Sequence, residues 1–423
     1  MSGVPAALAA LDPDAMAADL AALVRIPSVT GSERPALEHL RDRARALGLE
    51  ATLAEHDLDA VRAAPGFPGE EAPRSELAGL RVGVPGRAAA GRVPGRPRLA
   101  ICAHVDVVGP GTQPWRHGSP WSGALEDGAV YGRGAADMKA GLVAALHAVA
   151  ALRGAEMLDP VLLVVSSEED GGLGAFAALR EDAAWDACVI PEPTGFDVVC
   201  AQAGAITFRG EIRGVAAHAA FHSQGISAID RYLPVHRALL DLERSLNDAV
   251  EDPAMAALDL PYPVSVGRVA AGDWSSTVPD LLVFEGRAPV RVGEDVAEAK
   301  AAVERAVAAA CDDDGPPVEL TWPGAIFASA RTPADHVLSR RAVEAVAAER
   351  GEARVAGVPW GADMRLFTAS GIPTVMVGPR PLAIHGVDEH VMLDDVVETA
   401  RILVRLAYGL MPSASGAVAA PAG

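Results

Sequence analysis

Five short clusters of acid and histidine carry the chemistry in this sequence. They are Ala103-His104-Val105-Asp106, Asp137 within the turn Gly132-Arg133-Gly134-Ala135-Ala136-Asp137, Ser167-Glu168-Glu169-Asp170, Pro191-Glu192-Pro193-Thr194 and His385-Gly386-Val387-Asp388-Glu389-His390. His104 and Asp106 lie two apart in extended chain and share a face. A carboxylate beside an imidazole can hold its ring and raise its basicity toward a metal. The three consecutive acids after Ser167 repel one another and need either a cation or water. Adjacent glutamates can divide the labour, one ligating a metal and the other moving protons. Each cluster alone has a plainer reading: a surface His–Asp pair, a helix N-cap at Asp137, a solvated turn. Two histidines and three carboxylates together, all at the ends of apolar runs, are a poor fit to coincidence. Imidazole and carboxylate without cysteine suit Zn²⁺, Co²⁺ or Mn²⁺.

The elements that would position these clusters are legible from periodicity. Residues 98–103 (RLAICA), 161–167 (VLLVVSS) and 187–190 are apolar runs with the character of buried strands. Helical stretches at 138–152 and 174–180 alternate with them. That alternation predicts a mostly parallel sheet covered by helices, whose sites form at the carboxyl ends of the strands. After about residue 204 the pattern changes. Strands at 206–213, 264–270, 281–289 and 317–322 interleave with helices at 226–247 and 295–311, the β-α-β-β-α-β order of a ferredoxin-like unit. Alternation resumes after about 327, with a strand at 374–377 and a closing helix at 393–410. The Pro/Gly-rich stretch 64–97 reads as surface loops. The fold class expected is α/β, with an inserted ferredoxin-like α+β domain. The domains expected are 1–203 with 327–411, the insert 204–326, and a disordered tail 412–423.

The chain has 423 residues, 36 basic and 56 acidic, for a net charge of −20. Such a surface repels nucleic acid and anionic membrane, so neither is expected as a partner. No run of 18 apolar residues predicts a membrane span. The N-terminus lacks the basic start of a signal peptide. The four cysteines are scattered without a CxxC pair and read as reduced thiols of a cytoplasmic protein. G-x-S-x-G is absent, which speaks against a serine hydrolase of the nucleophile-elbow type.

The clusters and their order resemble the M20 metallopeptidase/deacylase family, the group of acetylornithine deacetylase and succinyl-diaminopimelate desuccinylase. The matching pieces are His104-Val-Asp106, Tyr131-Gly-Arg-Gly-Ala-Ala-Asp137-Met-Lys139, Ser167-Glu168-Glu169, Pro191-Glu192-Pro-Thr194, Gly214-Val-Ala-Ala-His218, Gly361-Ala-Asp363-Met-Arg365, Gly378-Pro379 and His385-Gly-Val-Asp-Glu389, spread over about 20–411. The resemblance implies two divalent ions, Zn²⁺ foremost with Co²⁺ or Mn²⁺ as alternatives. His104 and Glu192 would bind one, Glu169 and His385 the other, and Asp137 would bridge them, with a cis peptide to Met138. Asp106 would orient His104. Glu168 would be the general base on a water between the metals. His218, in the insert, would stabilise the oxyanion, often by reaching across a dimer formed through the insert.

The same resemblance makes Arg365 a bidentate ligand of the substrate carboxylate, with Arg287 a second candidate. His222, Trp115 and Trp121 are read as solvent-facing or packing residues. Departures from the family pattern bear on specificity. Ala103 stands before the first histidine where Gly is usual. Ser276 replaces an Asn of the lid. Arg380 follows Gly378-Pro379 and adds a cation near the site. The activity implied is removal of an acyl group from an N-acyl amino acid, as in acetylornithine deacetylation. A carboxypeptidase or dipeptidase would use the same site. A non-catalytic, metal-stabilised binding protein is the reading from a different class.

Overall fold

The computed structural model describes residues 3–87, 95–248, 250–311 and 315–411. The expected disordered tail 412–423 lies outside them. The chain divides into two compact units. One comprises residues up to Cys200, Thr332–Val355 and the chain from Leu366 onward; the other comprises Ala201–Arg331 and Ala356–Arg365. The short segment Ala356–Arg365 groups with the second unit, although it follows the first unit's helix in sequence. Two close approaches account for this: Ala203 N–H donates to Val358 O at 2.9 Å, and Gly357 lies against Ala254 and Met255.

The first unit is built on a mixed sheet. Its strands run in the order Glu50–His56, Leu77–Gly83, Asp159–Val165, Arg98–His104, Ala187–Ile190, Thr374–Met376, Val198–Gln202. The four central strands are parallel, and the strands outside them pair antiparallel. Arg98–His104 and Asp159–Val165 are buried at every position, as strands covered on both faces must be. Leu77–Gly83 corrects the expectation of surface loops over 64–97. This LAGLRVG segment is almost wholly buried, and its flanking prolines and glycines hid a strand.

Helices Ala140–Ala151 and Leu393–Gly409 pack on one another in this unit. The helical stretch Ala135–Gly154 is long and apolar enough to cross a membrane, but 83% of its most apolar window is buried inside the protein, as in a core helix. It begins with a π-turn, Ala135–Lys139, inside which Asp137 and Met138 leave helical geometry. A small sheet of Ala124–Glu126, Ala129–Tyr131 and His390–Met392 pairs Tyr131 with His390. That pairing brings the 132–139 turn beside the 385–389 loop.

The second unit has the expected β-α-β-β-α-β order: Gly204–Arg213, Ala228–Asp248, Ser265–Ala271, Leu281–Val290, Val296–Ala310 and Glu319–Thr321. Its antiparallel sheet places the first strand between the third and the fourth, with Ser265–Ala271 on the edge, which is ferredoxin-like. Phe208 and Phe284 meet edge-on at 6.1 Å in its core. Each sits opposite a glycine on the partner strand, Gly286 and Gly210, where a Cβ would meet the ring at 2.4 and 2.1 Å.

Close packing also ties the core of the first unit to its strand ends. A Cβ on Gly141 would approach Pro191 O to 2.0 Å, so helix Ala140–Ala151 rests directly on the turn that carries Glu192. Gly141→Ala should destabilise the protein by about 1–3 kcal/mol through this overpacking. Urea unfolding followed by circular dichroism checks it, and an unchanged midpoint would refute the contact.

Candidate metal and catalytic site

The strand ends of the first unit converge on one group of donors, buried at His104 and Glu192 and open to solvent at His385. His104 is the last residue of its strand and is 2% exposed. Its Nδ1–H donates to the backbone carbonyl of Asp106 at 2.9 Å. That leaves Nε2 facing Asp137 Oδ1 at 3.3 Å and Glu192 Oε1 at 3.8 Å. His385 Nε2 lies 3.2 Å from Glu169 and 3.5 Å from Asp137 Oδ2. Asp137 thus stands between the two imidazoles, and the Asp137–Met138 peptide is cis. His104, Asp137 and Glu169 offer ligand atoms within 4.8 Å of one another. The residues named from sequence as His104, Asp137, Glu169, Glu192 and His385 are therefore neighbours.

Asp106 meets the His104 ring and also has a second set of contacts. Its backbone carbonyl, not its carboxylate, makes the hydrogen bond to His104. The carboxylate lies 3.7 Å from that ring and instead accepts the amides of Glu168 and Glu169, each at 3.2 Å, and the Thr30 hydroxyl at 3.2 Å. It organises the glutamate turn. Glu168 is 7% exposed and close enough to His104 for its charge to raise that ring's basicity.

The imidazoles and carboxylates of this group shift one another's titration. Burial opposes a charged His104, but Glu192, Asp137 and Asp106 outweigh it and hold its pKa well above the ordinary range. Hydrogen bonds to Asp137 and Glu169 push His385 up to about 10. Burial raises Asp137, yet the two histidines pull it below the usual carboxylate range. With both imidazoles donating, the pocket holds cations where carboxylates crowd. Such a set of borderline nitrogen and hard oxygen donors fits divalent transition ions.

Several residues that support the site had no assigned role in the sequence. Glu389 is fully buried. It accepts the amides of Ala136 and Asp137 at 3.0 Å and Arg133 Nη1 at 2.6 Å. Arg133 also donates to His385 O at 3.1 Å. This one carboxylate joins the Asp137 turn to the His385 loop. Asp170, read as one of three mutually repelling acids, is paired with the buried Arg74 at 2.8 Å. Arg74 sits in the stretch taken for surface loops and carries no motif.

The remaining named residues are placed as follows. Arg380 donates through Nε and Nη2 to both oxygens of Asp395, at 2.8 and 2.9 Å. It is thus a forked partner of the helix Leu393–Gly409. In the second unit His218 and Ser276 are exposed and adjacent: Ala219 N–H donates to Ser276 O, and His218 bridges Thr277. Arg365 is 3% exposed, lies over Phe327 at 4.0 Å and donates to Ala362 O at 2.9 Å. Arg287 is exposed on its strand and faces the same ring at 5.6 Å.

The profile of the peptidase family M20/M25/M40 matches residues 100–409. The chain belongs to that family, and it is an M20-type hydrolase. It is 28% identical over 412 residues to the succinyl-diaminopimelate desuccinylase of Gluconacetobacter diazotrophicus, spanning 92% of this chain and 95% of that protein. Aminopeptidase PepT from Bacillus cereus shares the fold with a TM-score of 0.70 at 19% identity, over 95% of this chain and 99% of that one. Bacillus subtilis YXEP, described as a dinuclear metal-binding peptidase of family M20, gives 0.62 at 16% identity, over 93% and 98%.

The protonated imidazoles set a pH dependence for this M20 hydrolase. Metal ligation requires neutral imidazole, so binding must release the protons on His104 and His385. Zn²⁺ or Co²⁺ affinity should rise with pH through the neutral range and up to about 10, the value for His385. Calorimetric titration in buffers of different ionisation enthalpy would count the protons. Binding without proton release would contradict this site.

Proposed function

We propose that the protein removes an acyl group from N-acyl amino acids by metal-assisted amide hydrolysis. The observation that carries this reading is the convergence of His104, Asp137, Glu169, Glu192 and His385, with His385 at the solvent side and Glu168 on the turn of Glu169. His104, Glu192 and Asp137 would hold one divalent ion; Asp137, Glu169 and His385 would hold the second. Bound ions of this kind polarise a carbonyl and make water more acidic. Glu168 takes the proton of the attacking water and returns it to the leaving nitrogen. Asp106 keeps Glu168 in place through its amide. His218 stabilises the developing oxyanion, and Arg287 and Arg365 supply cations for a substrate carboxylate.

The named desuccinylase relative favours a dicarboxylic acyl group such as succinyl, alongside the acetyl group of the ornithine series. The test is amine release from a panel of N-succinyl and N-acetyl amino acids and dipeptides, with Zn²⁺- or Co²⁺-loaded enzyme. Glu168→Gln should lower kcat by about 10²–10⁴-fold, and His218→Ala by about 10²–10³-fold. Turnover confined to dipeptides would move the protein to the peptidase branch with the same roles. No turnover by the loaded wild type across the panel would refute the enzymatic reading.

A homodimer through the second unit belongs to the same proposal. Ile229, Leu233 and Leu240 form an exposed stripe on helix Ala228–Asp248, and Trp274 and Phe221 are 70% and 60% exposed. The edge strand Ser265–Ala271 is open to pairing. Sedimentation should show a dimer that Leu233→Glu shifts toward monomer. A monomeric wild type would exclude it.

A further inference from the structure

The turn bearing Glu168 and Glu169 begins with Ser167 at φ 69°, a left-handed conformation disfavoured for any residue but glycine. Something must hold it there. Asp106 pins the middle of the turn through the amides of Glu168 and Glu169. Asp170 pins the far end and is 4% exposed. The Ser167 hydroxyl donates to Asp170 Oδ1. Ala72 N–H and Glu71 N–H donate to Asp170 Oδ2 at 2.9 and 3.3 Å. Arg74 Nη2 lies 2.8 and 2.9 Å from the two carboxylate oxygens.

The Arg74 side chain has no solvent exposure. Its Nη1 is 3.5 Å from Glu33 and its Nε 3.7 Å from Glu70, and neither nitrogen makes a hydrogen bond among the described residues. The hydrogen bonds of this buried guanidinium therefore go to Asp170. Removing it would leave Asp170 a buried charge without its cation. The carboxylate would then turn toward water, and Ser167 would lose its acceptor.

We propose that Arg74, acting through Asp170, is a positioning residue for Glu168 and Glu169. The inference rests on the hydrolase reading of this turn. Glu168 has to meet a water proton within hydrogen-bond reach, and Glu169 has to meet a metal. A shift of the turn by a fraction of an ångström costs rate while leaving substrate binding almost untouched.

The test compares Arg74→Met, Arg74→Lys, Asp170→Asn and the double variant Arg74→Met/Asp170→Asn. The readouts are kcat and KM on the best substrate of the panel and the visible absorption bands of the Co²⁺-loaded protein. Arg74→Met should lower kcat on the order of 10–10²-fold with KM almost unchanged, and should alter the cobalt bands. Arg74→Lys should recover part of the loss. The double variant should be no slower than Arg74→Met, because the two residues act as one unit. If Arg74→Met does not fold, Ser167→Ala probes the same path by removing a single bond to Asp170. It should give a smaller kcat loss at constant KM.

Arg74→Met with a lowered melting point but wild-type kcat and cobalt bands would overturn the inference and leave a purely structural pair. A loss carried in KM would overturn it too. A wild type without turnover and without cobalt bands would overturn the underlying hydrolase reading, and this inference with it.

Discussion

Carboxylates gathered out of water must be neutralised, and the arrangement of the first unit follows from how that is done. Asp106, Asp137, Glu168, Glu169, Asp170, Glu192 and Glu389 all lie at or near the strand ends, and several are almost fully buried. A buried carboxylate without a partner costs far more than a fold can spare. Three of them are settled by the protein itself. Asp170 has Arg74, Glu389 has Arg133 and two amides, and Asp106 has two amides and a hydroxyl. Asp137 and Glu169 face imidazoles whose pKa they raise, and Glu192 adds its charge beside His104. The settled carboxylates shape the backbone; the ones facing imidazole are where a metal's charge can replace protons.

Topology explains why these groups meet. Parallel strands all present their carboxyl ends on one side, so short turns after Val165 and Ile190, and His104 itself, converge without long loops. The small sheet pairing Tyr131 with His390 adds the two clusters that do not follow directly from those strands. Glu389 then locks that junction by accepting the amides of Ala136 and Asp137. Asp137, Glu168 and Glu169 each have a backbone amide that another buried carboxylate accepts.

The second unit serves different demands. Its sheet is antiparallel, its core centres on Phe208 and Phe284, and one helix face and one edge strand are left without cover. It carries an exposed histidine and an exposed arginine, His218 and Arg287, while Arg365 is buried against Phe327.

The sequence by itself determined which residues could bind a cation and the periodicity of the elements around them. Histidine and carboxylate clusters after apolar runs pointed to a cation site, because donor chemistry is local and strand burial leaves a pattern of period or run length; the resemblance to the M20 family implied His104, Asp137, Glu169, Glu192 and His385 as its ligands. The ferredoxin-like order of the insert was legible for the same reason. Only the tertiary structure decided how those charges are balanced. Arg74 is one arginine among many in a Pro/Gly-rich stretch, and its partner Asp170 is distant in sequence; nothing local marks either as half of a buried pair. The strand Leu77–Gly83 was hidden by its flanks and formed by pairing with a neighbour that lies far along the chain. Asp106 was read as orienting His104 with its carboxylate, whereas the fold brings its carbonyl to the ring and its carboxylate to the glutamate turn. Arg380 was read as a cation near the site, and the fold pairs it with Asp395 of the helix Leu393–Gly409. Local chemistry names candidates, but the partner of a buried charge is set by contacts between segments that are far apart in the chain.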